Sequence, residues 1–292
     1  MPLRRALALL VALALLAASA FARAGNFERG VFWEVVSPDG RVGHLLGTLH
    51  ASDPRVLRLP EAVAQALEGA DRVATELVGD EASARRFRRA MMMREPRLPA
   101  LLGADDFARV ENLLARSGVR YSARARMKPW AALLVLGQPA GAQGPSMDEA
   151  LLAHVREVGK PVVPLESIDE QIDTFEGVPE EAQVQLLRHA GQNPEANRAT
   201  IAPLIEAYLA RNLAEMFRIN DAVLDDQPQL RPHNMHFLER VLFARNRRFV
   251  ERLEPLLRQG RVFAAFGALH LFGDRGVLSL LEQRGFRLRR LD

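Results

Sequence analysis

The sequence predicts an α/β protein: a mixed β-sheet built from N- and C-terminal strands, with a large helical insertion between them. Two observations carry this. Short apolar runs bounded by turn signals gather near both ends of the chain, and patterns of period 3.6 fill most of what lies between. Strands and helices that alternate at both ends then favour one sheet in which the terminal strands pair. The helical insertion is expected over roughly 80–147 and 167–259.

The elements follow in order. "VFWEVV" and "VGHLLGTLH" flank "SPDGR", a Pro-Asp-Gly turn between two apolar runs. This reads as a β-hairpin whose second strand ends near Gly47. "LPEAVAQALEGA" follows as a helix, with Pro60 in its first turn and Gly69 near its end. "RVATELV" is a short strand ending near Glu76. From about Glu81 to Ala142 the pattern is helical, clearest in "DDFARVENLLARSG". There Asp105 is expected to cap, Phe107, Val110, Leu113 and Leu114 share a face, and Gly118 stops the helix. "MDEALLAHVREVGK" is a helix ending at Gly159, and "PVVPLE" a strand ending at Glu166. Helical patterning resumes to about Gln259. "RVFAAFGALH" is then a buried strand, "DRGVLSLLEQRG" a helix and "FRLRRL" an alternating edge strand. "GQPAGAQGPS" at 137–146 reads as a surface loop.

The N-terminus joins a basic "MPLRR", an apolar "ALALLVALALLAASA" and "ARA" at 22–24. That three-part pattern predicts a secretory signal over 1–24, with Ala20 as the other cleavage site, and a mature chain beginning at Gly25, exported to the periplasm or secreted. The apolar run is shorter than the ~20 residues a spanning helix needs, and no later stretch qualifies, so no membrane anchor is expected after signal removal. With no cysteine there is no disulfide and no thiolate metal site. The net charge is +3, yet the basic residues are scattered among acids. Lys128 and Lys160 are the only lysines and no basic stripe is interleaved with aromatics. No nucleic-acid partner is expected.

Two apolar runs finish on Gly-x-x-His: Gly47 to His50, and Gly267 to His270. With Glu76 and Glu166, these histidines fall at the carboxyl ends of predicted strands, where α/β sheets bind ligands. Two imidazoles and a carboxylate brought there can coordinate a divalent metal and leave a position open. Gly47 and Gly267 are expected to supply a positive φ or a close backbone approach. The plainer reading is that each histidine caps a strand and that Glu166 simply precedes a helix N-terminus at Ser167. His233 and His236 form a rival pair at i, i+3, but no H-E-x-x-H accompanies them and they read as a helix start. His154 and His189 are expected at helix surfaces or boundaries, and His44 facing solvent or capping the sheet. No G-x-S-x-G elbow or glycine-rich phosphate loop is present.

The chain also resembles the TraB/GumN family, which includes PrgY and the Tiki proteases. The resemblance runs from about Phe32 to Leu291. It is carried by "FWEV", "HLLGTLH", "LPEAVAQALEGADRVATEL", "MKPWAALL", "MDEALLAHVREVGKPVVPLESIDEQI", "ARNRRF" and "FAAFGALHLFGDRGVLSLLEQRGFRLRRL". It implies that the paired Gly-x-x-His motifs are Gly47/His50 and Gly267/His270, that the strand-closing acid is Glu76, that the "LE" turn is Glu166, and that the Arg-Asn pair is Arg245 and Asn246. Tiki proteins are described as divalent-metal-dependent proteases favouring manganese or cobalt; zinc fits the same ligand chemistry. Other members are tied to peptide-pheromone shutdown or lie near polysaccharide genes. The sequence departs from the family pattern in two places. The usual Gly-Asp after "EAYLARN" is missing, and "GALH" replaces the commoner "GAGH".

The resulting expectation is an exported metal-dependent hydrolase cleaving an amide bond in a peptide or protein. His50 and His270 would bind the metal, and Glu76 would be a further ligand or the base. Arg245 would stabilise the oxyanion, while Asn246 and Glu166 would orient the shell. The competing expectation is a non-catalytic exported binding protein that captures a peptide, a haem-like ligand or an envelope partner in the same crevice.

Overall fold

The hairpin forms as the turn sequence demands. β1 (Phe32–Val36) runs antiparallel to β2 (Val42–Thr48), with Glu34 opposite His44 and Phe32 stacked on the His44 ring at 5.8 Å. The computed structural model describes residues 27–138, 144–222 and 224–292. The expected signal at 1–24 and the centre of the loop at 137–146 lie outside the described residues.

Four further strands complete one mixed sheet: β3 (Arg72–Thr75), β4 (Val162–Pro164), β5 (Val262–Gly267) and β6 (Arg287–Arg290). The order is β4-β3-β5-β2-β1-β6. β5 lies between β2 and β3 and is parallel to both. Covered on both faces, its sequence Val-Phe-Ala-Ala-Phe has no polar residue, the pattern of a central parallel strand. β6 closes the outer side of β1 antiparallel, where Arg289 forks onto Glu34 with two 2.9 Å bonds. β4 is short and ends in Pro164, which suits an edge. The N- and C-terminal strands therefore do pair, with helices between them, as the sequence predicts.

Successive β5 residues point to opposite faces. Phe266 meets Phe249 of the helix Ala244–Gln259, ring centroids 5.7 Å apart. Ala265 faces Leu151 and Val155 of the helix Met147–Glu157 on the other side. A second apolar cluster forms within the helical insertion. There Trp130 lies flat on Phe175 at 5.2 Å and 10°, packed among Leu98, Leu114 and Leu187.

Three local expectations need correction. Asp105 does not cap its helix: the helix Ala104–Arg116 starts earlier, and Gly103, at φ +82, makes the turn that precedes it. His189 is not at a surface but buried, its Nδ1 3.2 Å from the Asn193 amide nitrogen. The helical run before Gln259 is also interrupted, because Glu239–Phe243 winds as a π-turn between Arg231–Leu238 and Ala244–Gln259. Such turns frequently mark functional sites, and this one immediately precedes Arg245 and Asn246. Among the described residues, no helix is long and apolar enough to cross a membrane.

Candidate active site

The sheet order explains how residues distant in sequence meet. β4, β3, β5 and β2 are parallel neighbours, so their carboxyl ends share one edge. Thr75 pairs with Pro164 and with Ala265, and Thr48 pairs with Gly267. The residues just beyond these pairs are Glu166, Glu76, His270 and His50, laid out in that order along the edge. Main-chain pairing even continues past the strands, since Glu166 N–H donates to Glu76 C=O at 3.0 Å.

His270 sits on a short 3-10 turn, Ala268–Leu271, and is 5% exposed. Burial, followed by the nearby Arg245 charge, pushes its imidazole down to about 3, against the pull of Glu76. The ring is therefore neutral, and its partners fix the tautomer. Asn246 Nδ2 donates to Arg275 C=O at 2.8 Å, which turns Oδ1 toward His270. His270 Nδ1 lies 2.5 Å from that oxygen and carries the proton, so Nε2 bears the lone pair. Arg245 Nη1 approaches Nε2 at 3.3 Å.

Glu76 accepts from the Gly267 N–H at 2.8 Å through Oε1 and from Arg245 at 2.5 Å through Oε2. Burial works to raise its carboxyl, but the Arg245 charge, then His270 and the Gly267 N–H, outweigh it and hold the group down at about 2. The group is a carboxylate in this arrangement. Its Oε1 is 3.8 Å from His270 Nε2.

Arg245 does not fit the expected oxyanion role. Nε and Nη2 serve Glu166, Nη2 also serves Glu76, and Nη1 serves Val241 C=O and faces His270. All five N–H donors of the guanidinium are engaged. Through these bonds Arg245 joins Glu76, Glu166 and His270. Glu166, with its side chain 0% exposed, is the buried anchor: it also takes Arg248 at 3.0 Å. The plainer reading of Glu166 holds alongside, because Ser167 caps the helix Ile168–Glu176 in a reciprocal box with Glu170.

His50 stands apart from this buried cluster. Its side chain is 60% exposed, and Nδ1 faces Asp148 Oδ2 at 3.5 Å. Asp148, in the first turn of Met147–Glu157, also accepts from the Thr48 hydroxyl. The Asp148 contact raises the His50 pKa, with burial opposing. His50 and His270 nevertheless line one cavity of about 450 Å³, together with Gly267, Arg245, Asn234 and Phe237. His233 and His236 do not line it, as expected of a helix start.

The two motif glycines differ. A Cβ on Gly47 would come within 2.8 Å of Ala268 Cα and Leu271 Cδ1, so its strand approaches the 3-10 turn as only glycine allows. Gly267 has φ −49, and a Cβ there would make ordinary 3.5 Å contacts. The expected conformational need is real at Gly47 and absent at Gly267, whose contribution is its N–H.

The donor set suits a divalent cation in chemistry. Both imidazoles turn Nδ1 to an oxygen, Asp148 or Asn246, the usual outer-shell arrangement of metal-binding histidines, but His270 Nε2 faces Arg245 Nη1 at 3.3 Å, a contact that a metal on that nitrogen would have to displace. His270 Nε2 and Glu76 Oε1, 3.8 Å apart, can each lie ~2.1 Å from one ion. Among the described residues, however, no three His, Asp or Glu are gathered around one point. The expected trio of His50, Glu76 and His270 is only partly assembled, because His50 leans to Asp148 and Arg245 bridges the other two.

Sequence reasoning missed Asp148, Arg248 and Thr48. Arg245, Arg248 and Arg252 recur at helical spacing in "RNRRFVERL", a signal that one face of the helix meets acids. Nothing in the local sequence marks Asp148 as the partner of His50.

The family model described as "TraB/PrgY/gumN family" matches residues 31–290. No curated protein and no solved structure gives a match.

Proposed function

Because the chain belongs to the TraB/PrgY/gumN family, we propose that it is an exported metal-dependent hydrolase that cleaves an amide bond in a peptide or protein. The observation that carries this reading is the matched pair of imidazoles lining one cavity, each turning Nδ1 to an oxygen partner; metal on His270 Nε2 would take the place of the Arg245 contact there. His50, His270 and Glu76 would hold the ion, with manganese or cobalt favoured by the family resemblance and zinc an acceptable substitute. Such an ion supplies Lewis acidity, polarising the scissile carbonyl and acidifying water.

The chain's own residues divide the remaining work. Asn246 fixes the His270 tautomer, and Asp148 with Thr48 orients His50. Arg245 keeps Glu76 ionised and aimed, while Glu166 and Arg248 hold Arg245 in place. The cavity's lining is mainly apolar, and a substrate that fills it would lower the local dielectric and strengthen these electrostatic contacts.

One observation favours the second reading, a non-catalytic exported binding protein. Arg245 already bonds Glu76 and faces His270 Nε2, so the cluster is closed by an internal cation, and capture without turnover uses the same crevice. Incubating the purified protein with a mixed peptide pool, with added manganese or with a chelator, separates the two. Metal-dependent cleavage supports the hydrolase, and a metal-replete protein that binds but never cuts supports capture. Cell fractionation tests export.

A further inference from the structure

The site cavity has a neighbour. A second cavity of about 440 Å³ shares Leu49, His50, Leu204, Asn220, Asn234 and Phe237 with it. Beyond that common wall the second chamber is lined by Leu133, Leu186, Ile201 and Leu224 and extends into the helical insertion. Each volume lies within the range of a ligand pocket, ~300–1,000 Å³. The two cavities therefore adjoin beside His50, across a wall that is half polar and half apolar.

The shared wall also carries an unspent polar group. The helix Arg231–Leu238 places Asn234 and Phe237, three residues apart, on one face toward both chambers. Asn220 uses its Nδ2 on Met216 C=O at 2.8 Å. The Asn234 side chain makes no hydrogen bond to any described residue. An amide side chain offers both a donor and an acceptor, which complements a peptide unit; an acyl chain needs neither.

Resting on the reading that the substrate is a peptide, we propose that the second chamber is a specificity subsite. It takes large apolar side chains on one side of the scissile bond, while Asn234 hydrogen-bonds the peptide main chain at the junction. This gives the "HNMHFLER" segment a role that its histidines do not supply.

Binding, not cleavage, tests this. Fluorescently labelled, end-blocked hexapeptides with a central Leu-Leu or Ser-Ser pair are titrated into chelator-treated full-length protein, so that hydrolysis plays no part. The Leu-Leu peptide should bind at least about tenfold more tightly, as burial of even one large apolar side chain implies. Leu186→Gln and Ile201→Gln should each remove most of that preference; neither residue belongs to the two packed cores. Asn234→Ala should weaken both peptides alike, by about five- to tenfold. Equal binding of the two peptides overturns the subsite. So does a preference that survives both Gln substitutions in folded protein, and so does lauric acid competing fully while Asn234→Ala changes nothing. A protein that shows the preference but never cuts retains the subsite and loses the hydrolase reading.

Discussion

Asn246 Oδ1 and His270 Nδ1 lie 2.5 Å apart, and the bond decides which nitrogen of a buried, neutral imidazole bears the lone pair. Asn246 is itself held by Arg275 C=O, so the proton position is set two contacts away from the cavity. Asn246→Leu should leave the fold intact in circular dichroism but release the ring. Divalent-metal affinity measured by calorimetry should fall by about 10- to 100-fold, the usual cost of losing such an outer partner.

Arg245 is expected to matter for stability as much as for the site. Arg245→Met leaves Glu166, fully buried, with Arg248 alone, and Glu76 without its cation. Breaking a buried pair from one side costs about 3–5 kcal/mol. Urea denaturation should show that loss, and Arg245→Met/Glu166→Met should be less damaging than the two single changes added together.

The motif glycines should respond differently to an added methyl group. Gly47→Ala forces a clash with Ala268 and Leu271 and should lower stability by about 1–3 kcal/mol, as overpacking does. Gly267→Ala meets only ordinary contacts and keeps the N–H to Glu76. Its melting temperature should remain close to that of the parent protein.

Acid should weaken the contact between the helices Ile168–Glu176 and Ala244–Gln259. Glu170 accepts from Arg252, and this bond, against burial, holds its carboxyl down from 4.5 to about 2. A carboxyl lowered on folding stabilises the folded state above its unfolded pKa, and that contribution fades as pH falls from 4.5 toward 2. Glu170→Gln should therefore melt earlier than the parent near neutral pH, with the gap narrowing by about pH 3. A gap that widens on acidification contradicts the assignment.

The hairpin, the buried central strand and the placement of Glu76, Glu166, His50 and His270 at one sheet edge were legible because turn chemistry and apolar runs are local signals. The engagement of Arg245 was not. Its partners lie on β3 and β4, far away in sequence, and only the strand order brings them together. The π-turn at Glu239–Phe243 was equally hidden, since its pattern differs from an α-helix by one residue per turn. His189 read as a boundary residue because its helix is amphipathic, yet the insertion packs around it. The partnership of His50 with Asp148 depends on where the Met147–Glu157 helix docks, which no spacing in the sequence records.

Metal content and peptide cleavage, measured together on the parent protein, His50→Ala, Glu76→Gln and His270→Ala, test the central claim most directly. The parent should retain a divalent metal and cleave peptides. Each variant should lose both if Glu76 is a ligand, whereas Glu76→Gln should keep the metal and lose only cleavage if Glu76 is the base; combining two substitutions should add little. Full cleavage by His270→Ala, or a parent protein that cleaves equally well in excess chelator, would contradict the account.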